Sequence, residues 1–285
     1  MNLTGKKIAV TGSSGFVGKS LCKRIKELNG EVIEIDITLG KDITEYKSIE
    51  KIDKFDCMIH LAARIFVPES YKDPYGYYKV NLQGTLNVCE ICRQRNAKLI
   101  MSSSYFYGIP QYLPIDENHP VMPHNPYSHS KFLGEEVCKA YSKDFSLNVA
   151  VLRFFNIYGP GQDKRFLIPS IFQQAESGEV NLGSSTPKRD FIYIDDVIES
   201  YIKAIEFEPE GFEIFNIGSG ESYSVKETVE LISKYFLKPF SVHFSEEKRE
   251  NEIPDTKADI TKAINKLKWR PAVEFEEGIR KIISQ

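Results

Sequence analysis

Apolar residues follow two rhythms along this chain. Short unbroken runs alternate with longer stretches in which apolar positions recur every three or four residues. The run in "KIAVTG" predicts a strand, and "EVIEIDI", "CMIHLAA", "KLIMSSS" and "NVAVLRFF" predict four more. Continuous apolar runs suit strands covered on both faces, as in a parallel sheet. Between the first two, "GFVGKSLCKRIKELNG" puts Val17, Leu21, Ile25 and Leu28 on one helical stripe, with Asn29 and Gly30 as the stop signal. A long helix carrying "NLQGTLNVCEIC" separates the third and fourth strands, and another, opened by Pro126, separates the fourth and fifth. Then come "RDFIYI", the helix "DDVIESYIKAI" and the strand "FEIFNIG". The tail holds the amphipathic helices "SVKETVELISKYF" and "EFEEGIRKII", with "ITKAINKL" between them. Strand and helix in alternation predict an α/β fold with a parallel sheet and crossover helices.

The phosphate chemistry sits directly after the first strand. "TGSSGFVG" sets Gly12, Gly15 and Gly18 at the start of the first helix, where a bare backbone and free N–H groups suit a pyrophosphate. Asp36 ends the second strand, where a carboxylate accepts ribose hydroxyls and repels a 2′-phosphate. No arginine follows it, so NAD is expected over NADP. The fold class is therefore a doubly wound parallel sheet (Rossmann) with a smaller C-terminal substrate-binding lobe. Residues 1–165 are expected to form the dinucleotide-binding domain, with 190–218 returning to it, and 166–189 and 219–285 the lobe.

In "NPYSHSKFLGEE", Tyr127 and Lys131 are four apart, so one helical turn sets a phenol and an ammonium on the same face. Free tyrosine titrates near ~10 and is a poor base at neutrality. An ammonium about 5 Å away, at an effective dielectric of about 20, is worth about 3 kcal/mol, and a nicotinamide cation adds a similar amount. The spacing therefore predicts a phenol lowered by roughly three to four pKa units, a serviceable general base.

Composition narrows the picture by exclusion. The 285 residues are 41% hydrophobic and 27% charged, with a net charge of −3, which leaves no basic footprint for nucleic acid or an anionic membrane. No apolar run reaches membrane-spanning length, and the start passes into a strand without a signal-peptide apolar region. The five cysteines (22, 57, 89, 92 and 138) lie in periodic apolar segments and read as buried thiols, from which a reducing, cytoplasmic location is expected. His60, His119, His124 and His243 have no ligand spacing, so no metal is implied, and His129 faces away from the Tyr127–Lys131 side.

With the glycine spacing G-x-x-G-x-x-G, the chain resembles the extended, nucleotide-sugar branch of the short-chain dehydrogenase/reductase superfamily. "DIT" at 42–44, "HLAA" at 60–63, "VNLQGT" at 80–85, "SSSYFYG" at 102–108, "PYSHSK" at 126–131, "RFFNIYGPG" at 153–161, "RDFIYIDD" at 189–196 and "NIGSG" at 216–220 carry the likeness in order over nearly the whole chain. The resemblance implies Tyr127 as base, Lys131 as its activator and ribose ligand, and Ser103, four before Tyr107, as a hydroxyl on the reacting sugar oxygen. It implies NAD contacts at Gly12, Ser14, Gly15, Phe16, Val17, Gly18, Asp36, Asp42, Ile43, Leu61, Ala62, Ala63, Asn81, Tyr127, Lys131 and Phe154. Substrate contacts are implied at Ser103, Asn156, Phe166, Leu167, Val180, Leu182, Arg189 and Arg249, the arginines gripping a nucleoside diphosphate.

The resemblance implies an NAD-dependent nucleotide-sugar epimerase working at C4 through a 4-keto sugar, as a homodimer. A dehydratase is disfavoured, because Ser104 and Tyr105 stand where family dehydratases carry an Asp-Glu pair. The alternative is a 4-keto reductase or dehydrogenase, for which the short connection from Asp36 to Asp42 argues. A non-catalytic NAD-sensing protein is the reading that the retained Tyr127 and Lys131 argue against.

Overall fold

The computed structural model describes residues 2–247 and 252–284. The first half runs β1 (Lys7–Thr11), α1 (Phe16–Glu27), β2 (Glu31–Ile35), α2 (Tyr46–Ile49), β3 (Cys57–His60), α3 (Val67–Lys72), α4 (Pro74–Tyr78), α5 (Gly84–Arg95), β4 (Lys98–Ser104), α6 (Pro126–Phe145) and β5 (Val149–Phe154). The second half runs β6 (Asn156–Tyr158), α7 (Leu167–Glu176), β7 (Glu179–Leu182), β8 (Lys188–Arg189), β9 (Phe191–Tyr193), α8 (Ile194–Glu206), β10 (Phe212–Ile217), β11 (Tyr223–Ser224), α9 (Val225–Tyr235), β12 (Ser241–Phe244) and α10 (Phe275–Ile283).

Six strands form one parallel sheet in the order β10-β5-β4-β3-β1-β2. The order reverses between β1 and β3, which opens a crevice at their carboxyl ends. The apolar runs explain why both faces are covered. On one face α1 and α8 bury Leu21, Ile25, Val197 and Tyr201 against Ile8, Val10 and Ile100. On the other, Val88, Cys89 and Cys138 of α5 and α6 pack on Leu99 and Met101. Each such aliphatic side chain contributes about 1.5–3 kcal/mol when fully buried. The five cysteines are buried free thiols, as their apolar setting predicts.

A charged pair fixes α6 against the sheet. Arg153 of β5 donates to Glu135 of α6 through Nη2 (2.6 Å) and Nε (3.1 Å), with both side chains almost wholly buried. Its Nη1 also donates to the Tyr107 hydroxyl at 3.0 Å, which in turn donates to Asn216 Oδ1 at 2.5 Å. Asn216 Nδ2 donates to the Ile115 carbonyl (2.9 Å), and its backbone N–H donates to Glu117 (2.7 Å). The loop from Gln111 to His119 also bonds to itself, Gln111 N–H to His119 Nε2 (2.9 Å) and the Tyr112 hydroxyl to Asp116 (2.8 Å), and to the tail, where Ile115 N–H donates to the Lys257 carbonyl (2.7 Å) and the Ile115 carbonyl accepts from Asp259 N–H (2.8 Å).

Two local departures from the sequence pattern matter for the site. The strand expected over "EVIEIDI" stops at Ile35, because Asp36 caps a short turn over Ile37–Leu39. The helix expected through "NLQGTLNVCEIC" opens as a wide π-type turn over Lys79–Gln83 and becomes α-helical only at Gly84. A Cβ at Gly84 would lie 2.5 Å from Ile43 Cδ1, so glycine lets that helix close on the loop after β2.

Beyond the large sheet, β7 pairs with β12, β8 with β11 and β6 with β9. The tail is tied to the start of α8. Trp269 Nε1 donates to the Asp196 carbonyl (3.0 Å), and the Asp196 carboxylate accepts the N–H groups of Ala272 and Val273. Among the described residues, no helix is long and apolar enough to cross a membrane.

Candidate active site

The glycine loop closes tightly on itself. Gly12 takes a φ of 70°, and a Cβ there would lie 2.8 Å from the Ala62 nitrogen. A Cβ at Gly18 would lie 2.1 Å from the Gly12 carbonyl oxygen, so only glycine lets the first turn of α1 fold onto the loop. The amino end of α1 has no side-chain cap and no acidic residue in its first turn. Its free N–H groups therefore present partial positive charge. The Ser13 hydroxyl is buried there and has no partner among the described residues. Bare floor, uncapped helix end and orphan hydroxyl together fit a pyrophosphate.

Asp36 joins the loop to the end of β2. Its Oδ2 accepts from Ser14 N–H (3.1 Å), and its Oδ1 accepts from Thr38 N–H (2.9 Å) and Oγ1 (2.7 Å). Burial alone would raise this carboxyl, but the hydrogen bonds from Thr38 and Ser14 outweigh it and hold it below its ordinary range. A carboxylate has about four acceptor sites, so three occupied ones leave room for one ribose hydroxyl. Thr38 was not singled out from the sequence; the Asp-x-Thr spacing, a common turn signature, is its only signal.

Next to the loop, His60 ends β3 inside a directed chain of bonds. Its Nδ1 lies 2.8 Å from Thr11 Oγ1 and its Nε2 lies 3.0 Å from Thr85 Oγ1. Thr11 Oγ1 accepts the N–H groups of Leu61 and Ala62, and Thr85 Oγ1 donates to the Asn81 carbonyl. Burial first, then the charge of Lys131, pushes the imidazole down to about 3, so it is neutral. Asn81 accepts from Arg64 N–H (2.8 Å) and donates to the Arg64 carbonyl (3.0 Å) and to Ser130 Oγ (2.9 Å), bracing the segment after β3 against α6. Asp42 accepts from Thr44 N–H (2.8 Å), and the Ile43 carbonyl accepts from Asn87 (2.8 Å), which fixes the loop after β2. Phe16 and Val17 are half-buried at the start of α1, Ala63 is half-buried after β3, and Phe154 is buried at the end of β5.

The start of α6 is locked by its own sequence. Asn125 accepts from Ser128 N–H (2.8 Å), Ser128 Oγ accepts from Asn125 N–H (3.1 Å), and Pro126 supplies a helical φ at the first position. This cap sets Tyr127 and Lys131 over the carboxyl end of β4. Lys131 Nζ donates to the Ser102 carbonyl at 2.7 Å, and burial pushes the amine down to about 8. The expected acidification of Tyr127 does not occur in the chain alone. Burial pushes the phenol up to about 12, with a hydrogen bond to the Ser104 side chain opposing it and the neighbouring Tyr105 and Tyr77 adding to it. Lys131 is not among the groups acting on this phenol, because its amine is turned onto backbone.

Along β4, Ser103 is buried and its hydroxyl has no partner among the described residues. Strand alternation sends the Ser102 hydroxyl to Tyr201 on the opposite face. It also assigns Ser104 to that face, yet the Ser104 side chain meets Tyr127. The strand ends at Ser104, where alternation ceases to govern direction.

The residues expected to hold a substrate have varied settings. Asn156 Nδ2 donates to the Asp190 carbonyl at 3.1 Å. Arg189 Nη1 donates to the carbonyls of Lys188 (2.7 Å) and Ile253 (2.8 Å). Phe166 caps the start of α7 and sets its ring edge-on to Phe66, and Leu167 is half-buried beside it. Val180 corrects the expectation: it is fully buried in the core and offers no surface to a base, whereas Leu182, at the end of β7, is half-buried. Arg249 lies outside the described residues. No group of three or more His, Cys, Asp or Glu suited to a metal ion occurs among the described residues.

Comparison with known proteins bears on this arrangement. Residues 8–218 match the NAD dependent epimerase/dehydratase family. A putative UDP-glucose 4-epimerase of Methanocaldococcus jannaschii is 34% identical, with 97% of each chain covered. The GDP-6-deoxy-D-mannose reductase of Pseudomonas aeruginosa is 27% identical, covering 98% of this chain and 96% of its own. The crystal structure of UDP-glucose 4-epimerase from Thermotoga maritima with UDP-glucose superposes with a TM-score of 0.90 at 28% identity, covering 98% and 97%.

Proposed function

The chain belongs to the NAD-dependent epimerase/dehydratase family, and on that premise we propose that it epimerises a nucleoside-diphosphate hexose at C4, through a transient 4-keto sugar, with Tyr127 as base. The observation that carries this reading is the convergence at the carboxyl end of β4 of a phenol, an amine anchored on the Ser102 carbonyl and the orphan Ser103 hydroxyl. The ends of β1 and β3, with the glycine loop and Ala62, are its neighbours in the sheet.

Gly12, Ser13, Gly15 and Gly18 would hold the pyrophosphate, and Asp36 the adenosine ribose. When bound, NAD supplies a hydride acceptor that carries positive charge. Tyr127 takes the proton of the C4 hydroxyl, and Ser103 hydrogen-bonds the same oxygen. With the phenol near 12, the chain alone keeps Tyr127 protonated at neutral pH. Bringing it to 7 takes about 7 kcal/mol at about 1.4 kcal/mol per unit. A nicotinamide cation at about 5 Å supplies about 3 kcal/mol of it, and Lys131, on the next turn of α6, a similar amount once its amine turns from the Ser102 carbonyl toward the phenol. Asn156, Arg189, Phe166, Leu167 and Leu182 form the nucleoside-diphosphate side.

The test is to incubate the purified protein with UDP-glucose, follow the C4 epimer by proton NMR, and release cofactor by denaturation. Epimer formation with one NAD per chain is the expected outcome. Neither epimer nor retained NAD would overturn the reading.

A 4-keto reductase is the second reading. It is favoured by the compact link from Asp36 to Asp42, where the turn closes at Gly40 with a φ of 72°. In that case cofactor exchanges with solution, and a keto-sugar is reduced once.

A further inference from the structure

Tyr105 is the first residue beyond β4. Its ring lies flat on Phe155, with centroids 4.7 Å apart and planes 16° from parallel. Its hydroxyl donates to Asn156 Oδ1 at 3.3 Å. On its other side the Asn156 amide gives one hydrogen to the Asp190 carbonyl at 3.1 Å, and its backbone N–H donates to the same oxygen at 2.9 Å. Turned round, the amide would set its oxygen against that carbonyl and its NH2 against the phenol. Its sense is therefore fixed from both ends, and one N–H is left over. Tyr105 follows Ser103 and Ser104 directly in the chain, which puts the ring beside the candidate site.

We propose that Tyr105 is a positioning residue: its hydroxyl locks the Asn156 amide so that the spare N–H faces the diphosphate of the nucleotide sugar. The inference rests on the nucleotide-sugar reading, with Asn156 as a phosphate donor. It follows that Tyr105 governs substrate affinity and leaves the proton and hydride steps alone. A phenol suits this task. Its O–H can donate to an amide oxygen, as it does here at 3.3 Å. The stack on Phe155 accounts for the ring but not for the hydroxyl, and phenylalanine separates the two.

The experiment uses the full chain with UDP-glucose as probe, comparing wild type, Tyr105→Phe, Asn156→Ala and the double variant by steady-state kinetics and calorimetry. In Tyr105→Phe, KM and Kd should rise about five- to ten-fold, the scale of one hydrogen bond, with kcat within two-fold. NAD released on denaturation should match wild type, which shows that the fold is kept. The double variant should bind as Asn156→Ala does, because the phenol acts only through that amide. An unchanged KM in Tyr105→Phe, a fall in kcat at constant KM, or losses that multiply in the double variant would each overturn the proposal. Wild type that neither binds nor converts UDP-glucose or GDP-mannose removes the nucleotide-sugar reading, and this inference with it, before any variant is made.

Discussion

Acidification from pH 7 to pH 5 should weaken the fold through one side chain, His60. Thr85 spends its single hydroxyl hydrogen on the Asn81 carbonyl, 2.6 Å away, so at His60 it can only accept. The imidazole must then carry its proton on Nε2, and Nδ1 accepts from Thr11. A second proton on Nδ1 would meet a hydroxyl hydrogen in a buried place, beside the charge of Lys131. The folded-state value of about 3 lies below the ordinary 6.5. Between those values the unfolded chain binds the extra proton and the folded chain does not, so stability falls as pH drops through this window. Evaluated for these two values, the loss between pH 7 and pH 5 is about 2 kcal/mol. Asp190, pushed up to about 6 by burial, changes stability in the opposite sense over this interval, so the loss is read as a difference from a variant that cannot titrate at position 60, by urea unfolding at the two pH values. His60→Gln keeps one donor and one acceptor but cannot titrate, so wild type should lose about 2 kcal/mol more than the variant over that interval. Equal losses in the two proteins would show that His60 is not the group responsible.

Four further outcomes are expected. Tyr127→Phe should remove most turnover while released NAD stays near the wild-type amount; turnover within ten-fold of wild type would mean another group is the base. Asp36→Ala frees the N–H groups of Ser14 and Thr38 and should weaken NAD binding while narrowing its preference over NADP, and unchanged fluorescence titrations with both dinucleotides would remove Asp36 from the ribose site. Gly18→Ala places a methyl group 2.1 Å from the Gly12 oxygen; the helix must shift, so thermal stability should fall and NAD binding drop at least ten-fold, and a variant that melts and binds like wild type would refute the close-packing argument. Leu86 of α5 and Leu133 of α6 are exposed apolar residues available to pair two copies, and light scattering should give the homodimer that the resemblance implies; a monomer at micromolar concentration would refute it.

Much of this was legible in the sequence because the physics is local. Unbroken apolar runs marked the sheet strands, since a strand covered twice has no polar face to show. Three glycines before a helix marked the phosphate loop, and Pro126 marked the start of α6. What escaped depended on neighbours distant in the chain. The Ser104–Tyr127 contact arises where β4 leaves the sheet, and a period-two rule stops there. Val180 looks like any strand residue, and only packing among Ile168, Ile171 and Ala175 makes it inaccessible. The phenol of Tyr127 looked acidified by spacing alone, because the sequence gives charges and separations but not desolvation. The partial saturation of Asp36 by Thr38 and Ser14 likewise needs the turn that follows β2 before it can be counted.

The loop between β4 and α6 is stitched to the sheet at Tyr107, Ile115 and Glu117, and to the tail where Ile115 N–H donates to the Lys257 carbonyl and its own carbonyl accepts from Asp259 N–H. Such a construction passes a change on, because Asn216 leads through the Tyr107 hydroxyl and Arg153 to Glu135 on the helix bearing Tyr127. Remodelling this loop therefore reaches that helix unless the seam at Asn216 is kept.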